Sequence, residues 1–166
     1  MIEKGNTEHN TASSQLLETE VVTLFRQLAE SLPAGSVSLE IKPNPEPLIG
    51  GTRVELVPVV SGAARIVAIA TNRGVVYLTF GKSTPFEAQV ERGSTPSKLI
   101  EDIRPFCKAV IEGKFEENIW LVGSRAFKSV GKLEVGGKII TIHYRGSFHP
   151  FEKTENEHIK YAPFTA

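Results

Sequence analysis

Apolar side chains recur at three- and four-residue steps in two stretches of this chain, and elsewhere they alternate in twos. That switch of period restricts the fold more than any motif, because a helix presents one face about every 3.6 residues and a strand one face every two. In residues 14–32 the helical stripe is Leu17, Val21, Leu24, Phe25, Leu28 and Leu32, closed by Pro33 and Gly35. In the second stretch Thr95 can cap and Pro96 suits the first helical position, followed by Leu99, Ile103, Phe106, Cys107 and Val110, with Gly113 as the stop. Pro105 falls inside this helix and predicts a kink or a break, since it removes one backbone bond and crowds the preceding turn.

The alternating segments read as strands. Val37, Leu39 and Ile41 face one way, and the proline-rich residues 43–51 separate them from a strand over 53–60, where Pro58 suits an edge or a bulge. Residues 64–71 and 75–81 form a hairpin about Asn72-Arg73-Gly74, with Ile66, Ala68, Ala70, Val76, Leu78 and Phe80 on one face and room for a helix over the alanines. Short strands follow over 86–90 and 119–122, and the second buries Trp120 as a packing residue. The last unit is a hairpin of residues 127–135 and 138–145 about Gly136-Gly137, a pair that supplies the positive φ angles of a two-residue turn.

These elements predict an α+β fold: a strongly twisted antiparallel sheet of five to eight strands with two helices packed on one face. Residues 1–13 are polar and read as a disordered lead-in, residues 14–149 as a single domain, and residues 150–166 as a C-terminal tail whose Phe151, Tyr161 and Phe164 could dock back.

Several function classes are excluded or disfavoured. Nineteen basic and nineteen acidic side chains cancel, which removes the long-range field of a dedicated nucleic-acid binder. Cys107 is the only cysteine, so no internal disulfide forms, and a cytoplasmic setting without membrane insertion is expected. Its inward-facing stripe makes it a core thiol rather than a nucleophile. Asp102 is the only aspartate, no dinucleotide or nucleophile-elbow string occurs, and the histidines lack metal-ligand spacing, so no cofactor and no metal is expected. Gly81-Lys82-Ser83-Thr84 has the ending of a phosphate-binding P-loop, but Val76 stands where its first glycine belongs and Pro85-Phe86 leads into extended chain, so a plain hairpin turn is the better reading.

The Gly136-Gly137 hairpin carries the candidate site. A two-residue turn pairs Val135 with Lys138 and fixes every later partner. Phe127, Ser129, Gly131, Leu133, Val135, Ile140, Ile142 and Tyr144 then share the core side, while Lys128, Lys132, Glu134, Thr141, His143 and Arg145 share the other, continued by His149. The binding residues expected from this pattern are Lys128, Lys132, Thr141, His143, Arg145 and His149, a surface for an anionic ligand or acidic partner. The plainer reading is a solvated hairpin face whose cations guard an edge.

The order helix, strands, helix, strands resembles the outline of small secretion chaperones, with no motif matched. By subtraction of nucleophile, metal and cofactor arrangements, the expectation is a small binding module for a protein partner, such as a toxin or secreted effector. The alternatives are an enzyme using His143 or His149 with Arg145 on an anionic substrate, and a local nucleic-acid contact on the basic hairpin face, which lacks interleaved aromatics.

Overall fold

The computed structural model describes residues 6–45, 50–91, 93–147 and 153–165, with side chains from Ser14 onward. Helix α1 (Asn6–Glu30) starts eight residues before the expected start at residue 14, so the described part of the polar lead-in continues the helix rather than forming a separate disordered segment. Leu17, Val21, Leu24, Phe25 and Leu28 are buried along it.

Strands β1 (Val37–Pro43), β2 (Thr52–Pro58), β3 (Ile66–Ala70), β4 (Val75–Phe80) and β5 (Thr84–Gln89) form an antiparallel meander. Ala70 pairs with Val76 across the Asn72-Arg73-Gly74 turn, and Gly74 takes a φ of 77°. Ile66, Ala68, Ala70, Val76, Leu78 and Phe80 are all fully buried, and α1 lies across β1, β2 and β3. Pro58 ends β2 opposite Val37, where the ladder stops and its missing N–H costs nothing.

Helix α2 (Pro96–Ile111) is capped by Thr95, whose hydroxyl accepts from the Lys98 amide at 3.2 Å. It runs unbroken through Pro105, contrary to a split into two helices. Pro105 and Glu101 both lie on the exposed side, so the carbonyl that loses its partner is free to bind water. The helix packs on α1 and β5 and reaches the second sheet at β7.

The remaining strands, β6 (Phe115–Val122), β7 (Arg125–Val135), β8 (Lys138–Arg145) and β9 (Thr154–Lys160), make a second antiparallel sheet in the order β8-β7-β6-β9. The fold is α+β with antiparallel pairing within both sheets, but the nine strands of the described residues divide into sheets of five and four rather than forming one sheet of five to eight. The division falls where β7 crosses the start of β5. A Cβ at Gly131 would lie 2.6 Å from Thr84 Cγ2 and 2.9 Å from the Phe115 ring, so the two layers meet through side chains and not through a ladder.

The C-terminal segment is part of this core. Phe164 is fully buried and its amide bonds to the Ile111 carbonyl at 2.9 Å, while Tyr161 stacks on Phe115 with centroids 5.4 Å apart. Phe151 lies outside the described residues.

Candidate functional site

Strand β6 shows how one segment serves both core and surface. Its burial alternates strictly, with Phe115, Glu117, Ile119 and Leu121 inward and Glu116, Asn118, Trp120 and Val122 half-buried on the outer face. Trp120 is therefore not the core residue its apolar neighbours suggested. The period-two rule itself required this, since Ile119 and Leu121 cannot share a face with the residue between them.

Inward, Glu117 is fully buried and accepts four hydrogen bonds. Oε1 takes the Lys82 amide at 2.7 Å and the Tyr161 hydroxyl; Oε2 takes the Ser83 amide at 3.3 Å and the Thr84 hydroxyl at 2.8 Å. The turn that ends like a P-loop thus wraps an anion, but the anion is a carboxylate of the same chain. Gly81, at φ 63°, permits the approach, because a Cβ there would lie 2.6 Å from both Glu117 Oε1 and the Tyr161 oxygen. Burial, and then the bond to Glu117, push the Tyr161 phenol well above the ordinary tyrosine range. This cluster fastens β6 and the C-terminal segment to the first sheet and so fixes the outward residues of β6.

Outward, the hairpin has the register set by Gly136-Gly137. Val135 pairs with Lys138, Leu133 with Ile140, Lys132 with Thr141, Val130 with His143 and Lys128 with Arg145. Lys128, Lys132, Thr141, His143 and Arg145 accordingly share the outer face, and His149 lies outside the described residues. Because β6 pairs with β7 and β9, cross-sheet rows extend this face: Thr141, Lys132, Glu116 and Lys160 in one, His143, Val130, Asn118 and His158 in the next, then Arg145, Lys128, Trp120 and Asn156. A bulge between Trp120 and Leu121 gives β7 an extra residue at Phe127, so Phe127 is half-buried rather than a full core residue, and Arg125 joins the face opposite Val122.

At the centre of the last full row, the Lys128 ammonium sits 4.1 Å from the centroid of the Trp120 ring. Such an exposed cation–π contact is worth roughly 0.5–1 kcal/mol and leaves the charge available. Neither Lys128, Arg145 nor Arg125 has an ion-pair partner among the described residues. Five cations (Arg125, Lys128, Lys132, Arg145 and Lys160) face two carboxylates (Glu116 and Glu134) on the outward positions of this sheet, an excess of three in a chain of zero net charge.

The outer face of the first sheet is built oppositely. Arg53 and Lys42 lie 2.5 and 3.2 Å from Glu55, and Lys42 also pairs with Glu40 at 3.3 Å. Burial pushes the Glu55 carboxyl up, but the hydrogen bonds and charges of Arg53 and Lys42 together outweigh it and hold the group below its ordinary range. Cations there neutralise their own neighbours, whereas those around Trp120 do not.

Three clefts bordered by the described residues measure about 350, 460 and 340 Å³, and His143 lines none of these three. The largest lies at the turn end of the second sheet's outer face, between Lys114, Glu116, Lys132, Glu134, Ile139 and Lys160. His143 makes no side-chain hydrogen bond among the described residues, so nothing there orients it as a base. Cys107 is fully buried, and burial pushes its thiol up to about 12. No group of three or more metal-ligating side chains occurs among the described residues, and no helix there is long and apolar enough to cross a membrane.

Comparison with protein-family models, curated proteins and solved structures finds no match.

Proposed function

We propose that this protein is a binding module that engages an acidic protein partner on the outer face of its four-stranded sheet. The observation that carries this reading is Trp120, set outward between Asn156 and Lys128 with Arg145 beyond, among cations that have no ion-pair partner among the described residues. Tryptophan and arginine dominate the energetics of protein interfaces, because each combines a large rigid apolar surface with a polar handle. The regular ladder holds these groups at fixed spacing, so little ordering cost remains to be met on binding.

Single-stranded nucleic acid is the competing occupant, favoured by the half-buried, outward-facing indole beside a lysine. Against it stand one aromatic residue rather than several on the face, and a chain without net positive charge.

Trp120 is the only tryptophan, so its fluorescence reports this face alone. Titration with a glutamate-rich peptide should change its emission, with weaker binding at higher salt as the charges are screened. Lys128→Ala combined with Arg145→Ala should weaken that binding several-fold while lowering the thermal midpoint by no more than about 4 °C, the effect of losing the contact with Trp120. Equal binding by wild type and the double variant would sink the proposal.

A further inference from the structure

We infer that the partner presents one extended segment with two unlike ends, acidic residues over Trp120 and an apolar side chain in the cleft beside Ile139. This rests on the proposed binding role of the face and names what the face selects.

The argument starts from an uneven distribution of charge along the strands. At the Trp120 end, Arg125, Lys128 and Arg145 stand together, and both glutamates of the face lie at the other end. There Lys132 is 3.6 Å from Glu116, and Lys114 is 2.7 Å from Glu112, so two of the three ammonium groups of the cleft are already paired within the chain, and the third, that of Lys160, stands beside the Glu116 and Glu134 carboxylates that also line it. An acidic residue gains at the first end and meets carboxylates at the second.

The cleft end offers apolar surface instead. Ile139 is 63% exposed at its rim. Lys132 and Lys160 line the same space of about 460 Å³. That volume exceeds what one leucine or phenylalanine side chain fills, so an apolar anchor can enter without displacing the wall.

Lys132 and Lys128 mark the two ends on β7 and are four residues apart, roughly 13 Å along a strand. Between them the row of His143, Val130, Asn118 and His158 crosses the sheet, with two histidines, one amide and one valine and no lysine, arginine or carboxylate. A segment in extended conformation bridges that distance with about four residues. The recognition signature is an apolar residue followed or preceded, after such a spacer, by two or more acidic residues.

Synthetic peptides test this against the intact protein, with Trp120 emission as the readout. One peptide carries a leucine, about four Ser/Gly spacer residues and a block of glutamates. A second replaces the leucine with serine, and a third shortens the spacer to about one residue. The first should bind roughly tenfold more tightly than either other. Ile139→Ser, at an exposed position that leaves folding intact, should abolish the leucine's advantage alone, and Lys128→Ala with Arg145→Ala should abolish the contribution of the glutamates.

If all three peptides bind equally, the two-ended segment is wrong while the acidic-partner reading stands. If none binds, both fall. Tighter binding of an oligothymidylate than of the first peptide would overturn the inference in favour of nucleic acid.

Discussion

Replacing Glu117 with glutamine changes one atom and should cost about 1–3 kcal/mol of stability. Each carboxylate oxygen accepts from one backbone amide and one hydroxyl: Lys82 and Tyr161 at Oε1, Ser83 and Thr84 at Oε2. A glutamine must place its NH2 group at one of these two positions. The hydroxyl there can rotate and accept from it, but the backbone amide cannot: at the Oε2 position the Ser83 amide loses its acceptor at a cost of about 1–3 kcal/mol, whereas at Oε1 the Lys82 amide keeps the Tyr161 oxygen at 3.0 Å, so the NH2 group settles there at a smaller cost. The bonds that survive lose the charge that made them about twice as strong as neutral ones, which adds about 1 kcal/mol or more. Urea denaturation of wild type and Glu117→Gln would read this as a lower midpoint at unchanged slope. Tyr161→Phe removes a single donor and should cost less, and the two changes together should be non-additive by about 0.5–3 kcal/mol because they share one cluster. A loss below about 1 kcal/mol for Glu117→Gln would refute the reasoning, since the cluster would then be solvated or loosely held.

Other expectations follow from single groups. The Tyr161 phenol is raised in the folded chain, so its contribution is complete below the ordinary tyrosine value near 10 and is lost as pH rises from there toward the folded value; alkaline denaturation should be less steep in Tyr161→Phe. Cys107, buried with its thiol pushed up to about 12, should react with thiol reagents only as fast as the chain opens, and rapid labelling under native conditions would contradict this. Ile142→Ala, on a side chain 7% exposed, should cost about 2–5 kcal/mol, Ile140→Ala less because Ile140 is half-buried, and Lys132→Ala under about 0.5 kcal/mol in thermal denaturation.

What the residues alone disclosed depended on how local the determining physics is. The register of the last hairpin follows from Gly136-Gly137, and the faces it separates are those found, because a two-residue turn leaves no freedom in the ladder. The cap at Thr95 and the buried stripes of both helices are equally local. Strand β9 escaped notice because Thr154–Lys160 is an edge strand with one apolar residue, Ile159, on its inward side opposite Glu117, and polar or charged groups elsewhere, which is how edges resist further pairing.

The hairpin half of the candidate site was legible, and the other half was not. Asn118, Trp120, Asn156, His158 and Lys160 join it only because β6 lies between β7 and β9, a long-range pairing that no local pattern specifies. Glu117 hid the alternation of β6, since a carboxylate at an inward position reads as a surface residue until its four donors are known. Those donors come from the Gly81–Thr84 turn and the C-terminal segment, both distant in sequence.

The central claim is that binding is located on the outer face of the four-stranded sheet. Its most direct test is amide and indole chemical-shift mapping by NMR during titration with the leucine–glutamate peptide. Shifts should be confined to β6, β7, β8 and β9, with the Trp120 indole N–H among the largest, and should vanish in Lys128→Ala combined with Arg145→Ala. Shifts centred on Arg53, Ile69 and Tyr77 of the first sheet, or none at saturating peptide, would contradict it.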